Sequence, residues 1–298
     1  MSVPIAYLAV IIIWSTTPLG IVWSSETIHP TLAVLLRMMI AVIPGLLLLK
    51  VFKIEFPWHK QALRLYSFSS IGVFGGMLFS YVAAGYISSG LMSLIFGLSP
   101  ILSGVLSKRI LAEASLSLAK KLALFVAISG LAIVCYDKIS LAEDAYIGVI
   151  SVLIAVSFFS LSGVLVKSVE VAINPMATTV GTLLFSIPLF IMVWLIFDGN
   201  VPYETWSNKS IFSVIYLGVI GSLVGFIAYF YVLQRLKAST VALITMITPV
   251  VAISLGAILN NEVINTNLVV GAFAIITGLA IYQWGDLVKK HYSKNYAN

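Results

Sequence analysis

The sequence predicts an all-α integral membrane protein of ten transmembrane helices, arranged as two inverted-topology five-helix repeats. Three observations predict it: an apolar composition, a one-sided distribution of basic residues, and a pattern that recurs after 149 residues (249 − 100 = 149).

Of 298 residues, 60% are hydrophobic and only 9% are charged, and the mean hydropathy is +1.09. A soluble domain carries about 25% charged residues. A chain so short of charge cannot cover a water-facing surface, so it presents apolar side chains to lipid. The net charge of +6 then reports orientation rather than nucleic-acid binding, because Lys and Arg collect in cytoplasmic loops. The single cysteine, Cys135, excludes an intramolecular disulfide and a multi-cysteine metal site, and reads as a small packing residue. No Lys or Arg precedes the first apolar run, MSVPIAYLAVIIIW, and no small-residue cleavage pattern follows it. It therefore reads as a retained first span rather than a secretory signal.

A membrane-crossing helix needs about 20 largely apolar residues. That length fits ten segments, at roughly 4–24, 31–52, 65–86, 90–109, 119–136, 146–167, 176–197, 211–233, 239–260 and 267–285. Alternating them from a cytoplasmic N-terminus places 14 of the 17 basic residues at cytoplasmic ends and loops. Only Lys138 and Lys209 fall in outer loops, and Arg37 falls within a span. Both termini are thus expected in the cytoplasm.

The stretch ITMITPVVAISLGAILNNE (244–262) echoes IFGLSPILSGVLSKRILAE (95–113): Pro249 follows Pro100, and Glu262 follows Glu113, at the same shift of 149. GVFGG, with Gly72 and Gly76, matches GSLVG, with Gly221 and Gly225, at that shift too. ISGLAI (128–133) resembles ITGLAI (276–281) at a shift of 148. Spans 3–5 therefore repeat as 8–10 and, by extension, residues 1–140 repeat as 141–298. Five spans is an odd number, so the second copy sits upside down. Inverted repeats are an architecture by which secondary transporters alternate access around a midplane site. The paired glycines permit close helix approach. Pro100 and Pro249 each free a carbonyl, a defect tolerated in a membrane where protein or a wet cavity satisfies it. Both a cavity-lining kink and a packing kink fit that pattern.

These features resemble the drug/metabolite transporter superfamily, in its EamA-like ten-helix branch, over essentially the whole chain. The resemblance rests on WSTTPLG in span 1, LLRMMIA in span 2, the proline-to-glutamate endings of spans 4 and 9, and YVLQRLKASTVALITMITPVVA at the span 8–9 junction. Span 1 departs from the usual pattern in placing Ser15 after Trp14. The resemblance implies a carrier of amino acids, nucleotide sugars, drugs or other small metabolites in a bacterial inner membrane.

Arg37 is the one charged residue inside a span, about 9 Å below the outer boundary at 1.5 Å per residue. A charge there is expensive and points to function: it can attract a substrate carboxylate, pair with Glu26 or Glu262, or snorkel to the headgroups. Trp14, Phe79, Tyr81, Ser99, Tyr229 and Thr248, with Pro100 and Pro249, stand at depths suited to a cavity for a small amphipathic solute. Gly72, Gly76, Gly221 and Gly225 read as structural, as do Glu113 and Glu262 at span ends, where they would cap a helix or meet a basic residue. No Asp, Glu or His lies mid-span, so transport is not expected to run on a titrating intramembrane acid.

The expected function is a secondary transporter or facilitator of amino acids or similar amphipathic metabolites, exporting them across the cytoplasmic membrane. The alternatives are a non-transporting scaffold and a carrier of drugs or nucleotide-sugar-like solutes. Three dispersed histidines and one cysteine supply no enzymatic constellation, and no phosphate-cradling loop marks an ATP-driven pump. No cofactor or metal is expected. The expected partners are a small-molecule substrate and the lipid bilayer, not nucleic acid, and oligomeric state is left open.

Overall fold

The computed structural model describes residues 2–112, 117–141, 144–236, 241 and 244–295, with side chains described outside 135–141 and 286–295. Among the described residues, ten long helices follow in chain order: α1 (Val3–Ser24), α2 (Pro30–Val51), α3 (Lys60–Ala83), α4 (Ser89–Ile110), α5 (Leu118–Leu141), α6 (Ala145–Lys167), α7 (Pro175–Phe197), α8 (Asn208–Arg235), α9 (Ile244–Asn260) and α10 (Thr266–Asn295). Among the described residues, eight of these are long and apolar enough to cross a membrane, and α9 is a shorter apolar helix. Glu113 and the side chain of Cys135 lie outside what is described.

Local chemistry sets the helix starts. Pro30 and Pro175 open α2 and α7, where the missing N–H costs no hydrogen bond. Ser88 and Ser207 accept from the first turns of α4 and α8, and Asn174 does so for α7, as short polar N-caps do.

Two helices are not regular. In α3 the segment Gly72–Gly76 is π-helical, and in α8 so is Leu217–Val224. These wide turns overlap at the repeat shift of 149 residues, since 221 − 72 = 149. The backbone echoes the repeat again just past α4 and α9. Ala112 and Asn261, also 149 apart (261 − 112), both take left-handed φ values, 52° and 51°.

Among the described residues, most of the helix contacts have a counterpart when the two halves are exchanged, although α1·α4 is matched by no comparable α6·α9 contact. Helices α2·α7, α4·α9 and α5·α10 pack as self-related pairs. The α3·α6 contact is matched by α8·α1, α4·α6 by α9·α1, and α3·α7 by α8·α2. Each half thus sends its first helix across to the π segment of the other. The α5·α10 pair closes over small residues: a Cβ on Gly130 would stand 2.8 Å from the Gly271 carbonyl oxygen, and one on Gly278 2.8 Å from that of Ala123. In lipid, where apolar surface gains nothing from burial, such close backbone approach is what holds helices together. Phe125 and Phe273, on the outer faces of this pair, are 71% and 74% exposed, which suits lipid and not water.

Pro100 and Pro249 occupy different settings. Helix α4 is interrupted at Gly97–Leu98, and Pro100 lies in the first turn of its second piece, Ser99–Ile110, where proline is accommodated. Pro249 lies within continuous helix α9. The two copies share the residue but not the break.

Candidate transport site

Helix α1 packs against α8 at its π segment and on both sides of it. A Cβ on Gly225 would sit 3.1 Å from Ile13 Cγ2, Gly20 faces Leu217, and Thr16 Oγ1 bonds Tyr216 Oη at 2.5 Å. In the same stretch of α1, between Ile13 and Thr16, Trp14 meets the ring of Tyr229 at 5.0 Å between centroids, and Tyr229 continues to Phe230 at 5.5 Å. Trp14 and Tyr229 are thus brought together, both partly buried.

The related crossing, α6 over the π segment of α3, uses residues that the sequence reading passed over. Ser162 faces Gly72, where a Cβ would come within 2.6 Å of the serine Cβ, and the rings of Phe158 and Phe159 lie over Gly75 and Gly76. Phe158 also stacks with Phe79 at 6.0 Å, and Phe159 meets Phe96 edge-on at 5.7 Å. Ser160 bonds both the hydroxyl and the carbonyl of Ser99, each at 3.3 Å, beside the break in α4. The run SFFSLS (157–162) is therefore the hub of this side. Its signal was a pair of adjacent phenylalanines flanked by serines at mid-span.

The remaining expected residues are distributed more widely. Thr248 and Pro249 are buried on α9, which packs against α1 and α4. Phe79 and Tyr81 lie in the last turns of α3, which ends at Ala83 rather than at 86, so they stand nearer the helix end than mid-span. Tyr81 is fully buried and its hydroxyl has no hydrogen-bond partner. Arg37 is also fully buried, so it does not snorkel. Its Nε donates to Ser222 Oγ at 2.8 Å, inside the α8 π segment, and its Nη1 has no partner. The acids considered for it are engaged elsewhere: Glu26 with Lys209 at 2.5 Å, and Glu262 with the start of α4.

The two ends of the bundle differ. At one end, the α1–α2 connection and the α7–α8 connection are joined by a polar clasp. Ser207 N donates to Thr27 Oγ1 (2.9 Å), Ser210 Oγ donates to the Trp23 carbonyl (2.7 Å), Lys209 pairs with Glu26, and His29 Nδ1 lies 3.8 Å from Asp198 Oδ2. Trp23 Nε1 further donates to Asn260 Oδ1 at 2.8 Å, tying in the end of α9. Exchanging the halves maps these connections onto α6–α7 and α2–α3 at the opposite end. There a cavity of about 400 Å³ opens between Lys53, Ile54, Glu55 and Pro57 on one side and Ala172, Ile173 and Asn174 on the other.

The comparisons with known proteins agree with this architecture. The family model described as "EamA-like transporter family" matches twice, over residues 1–136 and 146–283. The chain is 24% identical to the uncharacterized transporter YoaV of Bacillus subtilis, over 94% of this chain and 96% of that one. It is 25% identical to the protein PagO of Salmonella typhimurium, over 94% and 92%. An uncharacterized transporter of Archaeoglobus fulgidus is 24% identical over 71% and 75%. A solved crystal structure superposes with a TM-score of 0.66 over 95% of this chain and 97% of its own, at 17% identity, a likeness of fold alone.

Proposed function

The chain belongs to the EamA-like transporter family, and from that premise we propose that it moves small amphipathic metabolites, amino acids or close relatives, across the cytoplasmic membrane by alternating access. The single observation that carries the reading is the unequal state of two equivalent ends. In a fold built of two related halves, one pair of connections is joined by a polar clasp, while the equivalent pair lines a cavity of about 400 Å³. Exchanging those states between the halves converts one access into the other, which is how inverted repeats alternate.

With both termini in the cytoplasm, as the basic residues favour, the open end faces inward and the clasped end outward. Uptake from the cytoplasm and release outside then gives export. The solute would contact the aromatic and hydroxyl surface of Trp14, Tyr229, Phe79, Ser99 and Thr248, a lining suited to an amphipathic molecule. The glycine-lined π segments, each crossed by the other half's first helix, would let the halves shift without opening a gap. Residues 1–140 and 141–298 are the two moving units in this reading, and a small molecule and the bilayer are its partners.

Untargeted metabolomics of medium and cytosol, with and without the protein expressed, tests it. One compound class enriched outside and depleted inside supports export and names the substrate. Enrichment inside keeps the carrier and reverses its direction. No change, with the protein present in the membrane, favours a scaffold.

A further inference from the structure

We propose that Arg37, seated on the π segment of α8, binds the carboxylate of the transported solute, so that the substrates are monocarboxylates, zwitterionic or anionic. This deepens the carrier reading and rests on it.

The guanidinium is fully buried, yet among the described residues no carboxylate lies within ion-pair distance of it. Of its donors, Nε is used by Ser222 Oγ. Nη2 lies over the bare backbone of Gly221, where a Cβ would come within 3.3 Å, and Nη1 has no partner. An unpaired buried cation is costly, and intramembrane charges persist where they serve a ligand or a relay. The planar fork of arginine fits a carboxylate through two parallel hydrogen bonds. A second buried donor without a partner, Tyr81 Oη, stands on Met77–Ala83, the segment of α3 that packs against α2.

The other half of the molecule serves as an internal control. Helices α2 and α7 both open on proline, so the shift of 145 (175 − 30) places Thr182 where α2 has Arg37. The shift of 149 places Val73 opposite Ser222 and Phe230 opposite Tyr81. Thr182 donates to its own helix, to the Thr178 carbonyl at 2.7 Å. The α3·α7 contact therefore forms without a cation, while its exchange partner α8·α2 carries one. The packing itself does not call for Arg37, Ser222 or the Tyr81 hydroxyl.

Arg37 is the eighth residue of α2, counted from the clasped end. It is closed off in this state, behind the α8 segment on which α1 rests. Parting α1 from α8 at the clasp would admit solute to the guanidinium.

The test uses the purified full-length protein and a panel of monocarboxylates: the amino acids other than aspartate and glutamate, lactate, pyruvate and benzoate, each paired with its amide. Binding is read as ligand-induced thermal stabilisation and flux in proteoliposomes. At least one acid is expected to bind and move while its amide does not. Arg37→Gln is expected to weaken that acid roughly tenfold or more, and Arg37→Lys less, because charge remains without the fork. Arg37→Thr and Ser222→Val, which import the other half's residues, guard against loss by misfolding. Equal binding of acid and amide, undiminished binding by a folded Arg37→Gln, or no response to any acid overturns the proposal. Flux of an uncharged solute that ignores Arg37 keeps the carrier and removes this site; a wild-type protein that alters no metabolite in cells takes the carrier reading down as well.

Discussion

The carboxylate of Glu262, just past α9, accepts hydrogen bonds from the backbone N–H of Ser89 (3.0 Å), the Ser89 hydroxyl (2.7 Å) and the N–H of Gly90 (3.1 Å). Those are the first two residues of α4. An anion therefore sits on the positive end of that helix and satisfies donors that have no partner within it. Glu262→Gln keeps the shape but removes the charge, and is expected to cost about 1 kcal/mol, the usual scale for a lost cap. Thermal unfolding in detergent checks this, and an unchanged midpoint for Glu262→Ala would refute the capping role.

The glycines of α3 and α6 make a contrast. Gly72→Ala would press a methyl to 2.6 Å from the Ser162 Cβ, and overpacking of that kind costs about 1–3 kcal/mol. Gly163, on α6, has nothing within 4 Å of a Cβ, so Gly163→Ala is expected to be neutral or to stabilise by up to about 1 kcal/mol through helix propensity. Unfolding midpoints of the two variants, compared side by side, decide whether close approach or mere composition placed these glycines.

Trp14 and Tyr229 meet ring to ring across α1 and α8. Trp14→Ala and Tyr229→Ala are each expected to lower transport while leaving membrane abundance unchanged. Quantitative immunoblots beside flux measurements separate the outcomes, since a parallel fall in both would assign the pair to folding.

Much of this was legible in the sequence because membranes impose few solutions. Span count followed from apolar length, and the inverted repeat followed from Pro100, Glu113 and the glycine pairs recurring 149 residues on. The residues at which the halves cross were less legible. Phe158 and Phe159 form a distinctive serine-flanked pair, but only the fold shows that their rings lie over Gly75 and Gly76. The π turns at Gly72–Gly76 and Leu217–Val224 are tertiary accommodations to those crossings and leave no periodic signal. The clasp joins residues about 180 positions apart, such as Thr27 and Ser207, a pairing that only the fold supplies. Arg37 stood out as a charge in a span, but its partner Ser222 is one of many serines, and only burial distinguished it.

Among the described residues, no Asp or Glu bonds or pairs with Arg37, and the acids of the sequence fall at span ends and connections. Transport is therefore expected to proceed without a protonatable intramembrane carrier. In proteoliposomes, an imposed pH gradient should leave the extent of solute accumulation unchanged. Accumulation that tracks the gradient and collapses with it would overturn this expectation.

Alternating access requires the clasp between Thr27 and Ser207 to open in every cycle. A reversible lock tests this: Thr27→Cys with Ser207→Cys, in a Cys135→Ser background, bridged through two disulfides by a short bis-methanethiosulfonate cross-linker, with export of the solute found by metabolomics as the readout. Alternating access predicts that cross-linking stops export and that reductant restores it. Export at the full rate by completely cross-linked protein would contradict it.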